Sequence, residues 1–346
     1  MSGATRLQLH LYPKSGSIFE LKPSDEVAVI EMGMSLPFEI KRLSEIARPT
    51  AGLITNIGQA HLETMGSKAK IAEAKGALFM SLPKDGIAFI NLDDPYLTPF
   101  VKTMSDRCEV ITYGMKSDAA LFQGKIVDHR GIAGIRMKCR WKKTNSFKEG
   151  SLEFDFSLPG EHNAHNAVAA IAVAIRCGVD SQKFKLALES FGATVGRSRI
   201  ILLNQGIYLI DDSYNANPDS MAAAIEMLDE CARRGERPLK KVAVLGDMLE
   251  LGEKEISLHE QTGQKLAQRV DYILTYGSLS QYIGKSARFH DRNVSVYSTL
   301  DQNDLIFKLK QILKSVGNCV VLIKGSHGMR MDTVVEVLVE SIGKEI

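Results

Sequence analysis

The chain has 346 residues, 45% of them hydrophobic, and a formal net charge of +2 at neutral pH. This length is enough for two α/β domains of ordinary globular composition. The small net charge gives no support for binding nucleic acid or a membrane surface. No apolar run approaches the ~18 residues of a membrane span, so we expect no membrane insertion. The five cysteines are scattered without a CxxC pair, which indicates reduced thiols and a cytoplasmic location.

The first elements along the chain are short apolar strands that end in polar side chains. Such strands end at Glu31, Asn56 and Asn91, and each is followed by a helical pattern. Continuous apolar strands that alternate with helices are typical of parallel sheets covered on both faces. Since the carboxyl ends of parallel strands meet at one edge, we expect these polar residues to line that edge.

A helix predicted to begin after Ser67 carries Lys75 on its apolar stripe, near Ile71 and Leu78. One interpretation is a lysine that extends its amine outward to water. The other is a lysine whose pKa is lowered by burial, so that its neutral amine can react. The spacing alone leaves both interpretations open.

His61 lies in the loop that follows the strand ending at Asn56. A histidine in such a loop is most often a solvated surface residue. Together with Glu31, it could instead bind a divalent cation. Neither residue decides between the two interpretations without the other.

The middle of the chain has a different pattern. Short alternating runs over residues 109–158 predict a small antiparallel sheet, and an alanine-rich helix is predicted over about residues 164–177. Asn163 and Asn166 lie three residues apart at the start of this helix, so their amides can share one face. Paired amides can bind the donor and acceptor edge of an adenine. The alternative is a helix cap beside one surface asparagine.

A second, Rossmann-like domain is predicted from the renewed alternation of strands and helices after about residue 199. We place the domain boundary between residues 196 and 197. The predicted elements are a hairpin, strands over 241–245, 271–276 and 319–323, and helices over 219–233, 254–268, 301–315 and 331–342.

The most informative stretch of this domain is residues 207–218. Four apolar residues form a strand that ends in two carboxylates, and Tyr214 and Asn215 follow before Pro218 opens a helix. The simple alternative is a βα loop with ordinary Asp and Asn turn chemistry. Polar groups this dense exceed what a turn needs, so the stretch predicts a binding site at the carboxyl edge of the sheet.

Nine motifs, in order along the chain, resemble those of the Mur ligases. They are Glu31-Met-Gly, Thr55-Asn-Ile-Gly-x-Ala-His-Leu-Glu63, Ala72-Glu-Ala-Lys-Gly76, Asn91-x-Asp-Asp-Pro95, Gly160-x-His-Asn-x-x-Asn166, Gly196-Arg197, Asp211-Asp-Ser-Tyr-Asn-Ala-Asn-Pro218, Leu245-Gly-Asp-Met-x-Glu-Leu-Gly252 and Lys324-Gly-Ser326. The resemblance implies an α/β fold with a truncated central ATPase domain over 1–196, which has a mostly parallel sheet and a small antiparallel sheet. A Rossmann-like C-terminal ligase domain would follow over 197–346.

The resemblance also implies an activity. The two motifs Tyr214 to Pro218 and Gly246 to Gly252 are similar to those of the family member that joins D-alanyl-D-alanine to UDP-N-acetylmuramoyl-tripeptide (UDP-MurNAc-tripeptide) in peptidoglycan synthesis. In that reaction ATP phosphorylates a peptide carboxylate, and the amine of D-alanyl-D-alanine displaces the phosphate. The implied cofactors are ATP and Mg²⁺, and we expect a monomer.

The family's site residues have matching positions in this sequence. By resemblance, Glu31, His61 and a carbamylated Lys75 would hold magnesium. Asn163 and Asn166 would contact adenine, Asp212 the ribose, and Arg197 the phosphates of ATP. Tyr214, Asn215 and Lys324 would complete the nucleotide site from the second domain.

The sequence also departs from the family. Residues 1–16 do not match the pattern, and the family's sugar-binding domain and its Gly-x-x-Gly-Lys-Thr-Thr phosphate loop are not in the sequence. Pro37-Phe38 precedes Glu39 where the family tends to have glycine, and His327 stands where arginine is common. We therefore expect residues 1–346 alone to form no amide product. The alternatives are a non-catalytic remnant or nucleotide-binding module of this ligase, and a ligase similar to folylpolyglutamate synthase, against which the Tyr214 to Pro218 motif argues.

Overall fold

The computed structural model describes residues 5–9, 21–59, 62–233 and 239–343, with residues 5–9 described by their backbone alone. The chain divides into two compact units, residues 1–123 with 168–173 and residues 124–167 with 174–346. The boundary expected between residues 196 and 197 stays a prediction. The expectations for residues 1–4 and 10–16, and for His61, lie outside the described residues. Within the described ranges, no helix is long and apolar enough to cross a membrane.

Parallel strands joined by helices build the first unit. Strands β3 (Ala51–Ile54), β4 (Ile87–Asn91) and β5 (Glu109–Gly114) pair in parallel in that order, and the first residues of β6 (Phe122–His129) pair in parallel with β5. β1 (Thr5–Leu9) pairs in parallel with β2 (Ala28–Met32) in a separate sheet. The helices are α1 (Glu39–Ala47), α2 (Leu62–Met65), α3 (Lys68–Met80) and α4 (Pro99–Ser105).

The second unit contains the small antiparallel pairing that the sequence predicts. β7 (Ile135–Trp141) and β8 (Gly150–Phe156) pair antiparallel over their whole length. The prediction was wrong for the start of its range, because β5 joins the parallel pairing with β4. Two helices follow, α5 (Glu161–Arg176) and α6 (Ser181–Glu189). Asp180 caps α6 by accepting hydrogen bonds from the backbone of Gln182 and Lys183.

A six-stranded sheet follows in the same unit, in the order β13-β12-β11-β14-β10-β9. Its strands are parallel except for β9, which forms a hairpin with β10. The strands are β9 (Arg199–Leu203), β10 (Ile207–Asp212), β11 (Lys240–Gly246), β12 (Tyr272–Tyr276), β13 (Ser295–Thr299) and β14 (Cys319–Lys324). The helices are α7 (Pro218–Ala232), α8 (Glu255–Leu266), α9 (Gln281–His290), α10 (Gln302–Val316) and α11 (Met331–Ile342). The sequence predicted this alternation but omitted α9 and β13.

Successive residues of the central strands contribute to two different apolar clusters. Ala243 and Leu245 of β11 pack with helices α7, α8 and α9, whereas Val242 and Val244 pack with α10 and α11. This alternation follows from the period of two along a strand, and it explains why residues 242–246 of β11 form an unbroken apolar run. Because both faces are covered, the polar residues that follow the strands gather at the carboxyl edge of the sheet.

Candidate active site

Lys75 lies in the middle of α3, where the sequence places it. Ser67 caps this helix by accepting a hydrogen bond from the backbone of Lys70, and Ile71 and Phe79 are buried on its inner face. The Lys75 amine donates to the Asn56 carbonyl at 3.2 Å, just beyond the end of β3. Burial lowers the pKa of Lys75, and Asp94 opposes this change by favouring the charged amine. This lowering of the pKa is the direction that a reactive neutral amine requires, and both interpretations of Lys75 stay predictions.

Asn91, the last residue of β4, and Asp94 hold the segment that contains Asn56, whose carbonyl accepts from Lys75. Asn91 donates through its side-chain nitrogen to the Thr55 carbonyl at 2.9 Å, and the Asp94 carboxylate accepts from the backbone of Ile57 at 2.6 Å. Asp94 is buried and also accepts from the Tyr96 backbone at 2.9 Å. These side chains of the Asn91-x-Asp-Asp-Pro motif therefore hold residues 55–57 in place.

The metal-binding prediction combines Glu31, His61 and Lys75. Glu31 is the fourth residue of β2 and is half-buried. Within the ranges that the structure describes, no group of three or more His, Cys, Asp and Glu side chains is placed to hold a metal ion. A carbamate on Lys75 would add the oxygen ligands that Mg²⁺ prefers, which the unmodified amine does not offer. The metal site stays a prediction.

In the second unit, Lys324 and Asp212 form a buried ion pair where β14 and β10 end. The Lys324 amine donates to Asp212 at 2.5 Å and to the Asn215 carbonyl at 2.9 Å, and only 3% of its side chain is exposed. The other oxygen of Asp212 accepts from the Ser198 backbone at 2.9 Å. The predicted residues Asp212, Asn215 and Lys324, which come from two different motifs, are thus brought together at the carboxyl edge of the sheet.

His162, which the sequence prediction did not single out, extends this network. Its Nε2 lies 3.2 Å from the Ser198 hydroxyl, which in turn contacts Asp212. Burial lowers the pKa of His162, while Asp212 raises it and Lys324 and His165 lower it. His162 precedes the predicted adenine residue Asn163 and connects the start of α5 to Asp212.

Asn163 and Asn166 lie in the first two turns of α5. Asn163 is buried, and its side-chain nitrogen donates to the Pro159 carbonyl at 2.7 Å, whereas Asn166 is exposed. The structure places the two amides one helical turn apart, as expected. Their contact with adenine stays a prediction.

Arg197 and Tyr214 lie against each other at the surface. The Arg197 guanidinium stacks over the Tyr214 ring at 4.4 Å, and the Tyr214 ring lies 5.7 Å from that of His327. Gly196 has a positive φ of 74°, and a Cβ there would lie 3.1 Å from the Tyr214 Cβ, so glycine fits this turn. An exposed guanidinium held in this way can bind an anionic group.

Asn215 and the following residues shape the start of α7. Asn215 is exposed, and its side-chain oxygen accepts from the Ala216 backbone at 2.8 Å. Asn217 and Ser220 form a capping box, and Pro218 is the first residue of the helix. The Asn and Pro residues of this motif therefore serve the turn, while Tyr214 and Asn215 remain accessible.

Comparison with known proteins gives two family matches. Residues 15–174 match the Mur ligase middle domain, and residues 196–327 match the Mur ligase, glutamate ligase domain. The UDP-N-acetylmuramoyl-tripeptide–D-alanyl-D-alanine ligases of Bacillus subtilis and Escherichia coli are 33% and 32% identical to this chain. Each alignment covers 94% of this chain, and 67% and 68% of the relatives.

Solved structures show the same fold. A crystal structure of MurF from Acinetobacter baumannii aligns with a TM-score of 0.80 and 25% identity over 98% of this chain and 71% of its own. The MurF ligase of Thermotoga maritima, crystallised with ADP, aligns with a TM-score of 0.78 and 22% identity over 98% of this chain and 74% of its own. The match to the second structure concerns the fold alone.

Proposed function

Because this chain belongs to the Mur ligase family, we propose that it is the ligase that joins D-alanyl-D-alanine to UDP-MurNAc-tripeptide with ATP, as a monomer in the cytoplasm. The observation that carries the proposal is the buried ion pair of Lys324 and Asp212 at the carboxyl edge of the sheet β13-β12-β11-β14-β10-β9. Open α/β sheets bind their ligands at this edge. A buried ion pair is also costly to maintain, which favours a functional reason for it.

The nucleotide is held in this proposal by residues of the second unit. Asn163 and Asn166 contact the adenine, and Asp212 accepts from the ribose. Arg197, which is exposed, and Lys324 neutralise phosphate charge. Tyr214 and Asn215 lie on the exposed turn between Asp212 and α7, where they can contact the nucleotide. Phosphoryl transfer is catalysed mostly by positioning and charge neutralisation, which these side chains supply.

Magnesium is held in this proposal by Glu31, His61 and carbamylated Lys75. The lowered pKa of Lys75 supports the modification, since only a neutral amine can form a carbamate. The metal would neutralise phosphate oxygens during transfer. To this site the chain supplies Lys75, a half-buried lysine whose amine donates a hydrogen bond to the Asn56 carbonyl.

A chimaeric ligase tests the proposed activity. Residues 17–346 replace the matching part of the Bacillus subtilis relative, and mass spectrometry follows ATP-dependent attachment of D-alanyl-D-alanine to UDP-MurNAc-tripeptide. We expect product from the chimaera and none when Lys75 is replaced by alanine. Residues 1–346 alone are assayed in parallel.

Two outcomes would contradict the proposal. The first is a folded chimaera that forms no product while the parent enzyme does. The second is a chimaera that couples glutamate to a folate acceptor, which would support the folylpolyglutamate alternative.

A further inference from the structure

His259 is a buried histidine to which the proposed function gives no role. It lies in α8 with no exposed surface, and both of its ring nitrogens have a backbone partner. Nδ1 lies 2.6 Å from the Glu255 carbonyl, and Nε2 lies 3.0 Å from the Met248 backbone nitrogen. The second contact crosses from α8 to the loop after β11.

These two partners fix the protonation state of the ring. A carbonyl oxygen can only accept, so Nδ1 must carry a proton. The Met248 amide can only donate, so Nε2 must be unprotonated. A neutral imidazole with its proton on Nδ1 satisfies both groups, whereas an imidazolium would place an N–H against the Met248 amide.

The loop that His259 holds is bonded to the loop after β14. The Ser326 hydroxyl accepts from the Leu249 backbone at 2.9 Å and contacts the Ala216 carbonyl at 3.2 Å. The Ser326 backbone donates to the Asp247 carbonyl at 2.9 Å. The loops after β10, β11 and β14 are therefore connected through Ser326.

Two glycines allow these loops to approach closely. A Cβ on Gly325 would lie 2.7 Å from the Met331 side chain and 3.1 Å from the Gly246 Cα. A Cβ on Gly246 would lie 3.2 Å from the Met329 side chain. Lys324 directly precedes this contact, and its backbone pairs with Asp212 of β10 and Leu245 of β11.

We propose that His259 is a positioning residue that fixes the loop after β11 and, through Ser326, the strand end that presents Lys324. The role assigned to Lys324 rests on the proposed function, whereas the loop contact does not. Protonation of His259 would break its bond to Met248 and loosen the carboxyl edge of the sheet.

Burial and the charges around His259 determine the pH at which its ring becomes protonated. Burial lowers its pKa, and the Glu255 carbonyl, Asp247 and the Glu255 carboxylate oppose this by favouring the charged ring. The folded state therefore binds this proton more weakly than the unfolded chain. The bond to Met248 is complete above the ordinary histidine pKa of about 6.5 and is lost as pH falls below it towards the lower folded value.

Nuclear magnetic resonance of the whole chain tests the proposal. We expect the His259 imidazole to show the Nδ1-protonated tautomer at about pH 7.5. Hydrogen exchange of the Met248 and Leu249 amides is then compared between wild type, His259→Leu and His259→Gln. The matched control is His290→Gln, because His290 makes the same type of Nδ1 contact, to Ser286 at 2.9 Å, but is exposed.

The leucine variant leaves the Met248 amide unpaired, so its exchange should accelerate by about tenfold to a hundredfold. Glutamine retains a donor and an acceptor without titrating, so His259→Gln should fold even if the leucine variant does not. In His259→Gln, hydrogen exchange of the Leu249 amide should no longer respond to protonation of residue 259 as pH falls. In His290→Gln, this response should remain as in wild type. An Nε2-protonated ring, or a pH response unchanged in His259→Gln, would overturn the inference.

Binding of Mg·ADP by the same variants connects the loop to the proposed site. We expect His259→Gln to bind ADP as wild type does at about pH 7.5 and to lose less affinity than wild type on acidification. If wild type binds no ADP, the proposed function fails and the loop measurements still test His259. If ADP affinity has the same pH dependence in both proteins, the positioning role is overturned.

Discussion

At the scale of the residue, Lys75 is a lysine whose surroundings favour the neutral form of its amine. The helix places the amine at the Asn56 carbonyl, and burial lowers its pKa. An exposed lysine at neutral pH is almost fully protonated and reacts poorly with carbon dioxide. The lower pKa gives Lys75 a larger neutral fraction than an exposed lysine has, and its carbamylation stays a prediction.

We predict that Lys75 is carbamylated when the chimaeric ligase, which contains the phosphate loop of its relative, is exposed to ¹³C-labelled bicarbonate near neutral pH. The carbamate signal should appear in the ¹³C spectrum of the unsubstituted chimaera, be absent from its Lys75→Arg variant, and be weak or absent in residues 1–346 alone. Lys70→Arg is the matched control, because Lys70 is an exposed lysine of the same helix. The signal should grow as pH rises from about 6.5, since the neutral fraction of the amine increases. Equal signals in the two variants would refute the prediction.

Phe38 is a non-glycine residue with a left-handed backbone conformation. It precedes α1 with a φ of 70° and is 77% exposed. A left-handed conformation costs a non-glycine residue about 1–2 kcal/mol. We predict that Phe38→Gly raises the free energy of unfolding by about 0.5–1 kcal/mol. This gain is smaller than the strain that is relieved, because glycine also increases the conformational entropy of the unfolded chain.

Urea unfolding measures this change, and Phe289→Gly is the control. Phe289 is 83% exposed within helix α9, so glycine there should lower stability by a few tenths to about 1 kcal/mol. A loss of stability in both variants would show that the backbone of Phe38 is not under strain.

At the scale of the element, the packing of α3 against α4 requires a small residue beside Lys75. A Cβ on Gly76 would lie 2.2 Å from the Phe100 ring. Phe100 also packs edge-on against Phe79 at 5.6 Å between ring centres, so it has little room to move. The glycine of the Ala-Lys-Gly motif therefore has a packing role that is separate from the chemistry of the lysine.

We predict that Gly76→Ala lowers the free energy of unfolding by about 1–3 kcal/mol, because the added methyl group overpacks this contact. Gly192→Ala is the control, since no neighbouring atom lies within 4 Å of its added Cβ. Denaturant unfolding of both variants measures the difference. A second substitution, Phe100→Leu, should recover part of the loss in Gly76→Ala. Equal stability of the two alanine variants would contradict this account.

Elements with strong local signals could be predicted from the sequence, whereas others could not. β11 and β14 are covered on both faces and contain unbroken apolar runs over residues 242–246 and 319–323, and Ser67 marks the start of α3. β13 lies at the edge of the sheet and reads Ser-Val-Tyr-Ser-Thr, too polar for the pattern of a central strand. α9 follows a stretch rich in glycine and serine that masks its start.

The contacts between loops could not be predicted either. Lys324 and Asp212 were predicted as site residues, but their direct ion pair depends on β10 and β14 being neighbours in the sheet. The bond between His259 and Met248 joins a helix to the loop that precedes it. No periodic pattern reports such a contact, because it depends on how the loop folds back.

At the scale of the whole molecule, every strand of the six-stranded sheet β13-β12-β11-β14-β10-β9 comes from the chain after residue 196. Helices α7 to α11 and both apolar clusters on this sheet lie mainly in the same segment. We predict that residues 197–346 fold independently, because they contain a complete sheet with both faces covered. Thermal unfolding followed by circular dichroism should show one cooperative transition. A sloping loss of signal would count against a boundary at this position.

The central claim for the molecule is that it binds ATP as a Mur ligase does. Titration calorimetry of Mg·ADP with residues 1–346 tests this claim most directly. Arg197→Met is the informative variant because Arg197 is exposed, so its loss should spare the fold, unlike a break in the buried Lys324 pair. Arg292→Met is the control, as another exposed arginine of the second unit.

We predict that wild type and Arg292→Met bind Mg·ADP equally and that Arg197→Met binds it about tenfold more weakly, through loss of a charge-assisted contact to phosphate. Circular dichroism verifies that all three proteins are folded. Folded wild-type protein that binds no nucleotide, or equal affinities for all three proteins, would contradict the nucleotide site assigned here.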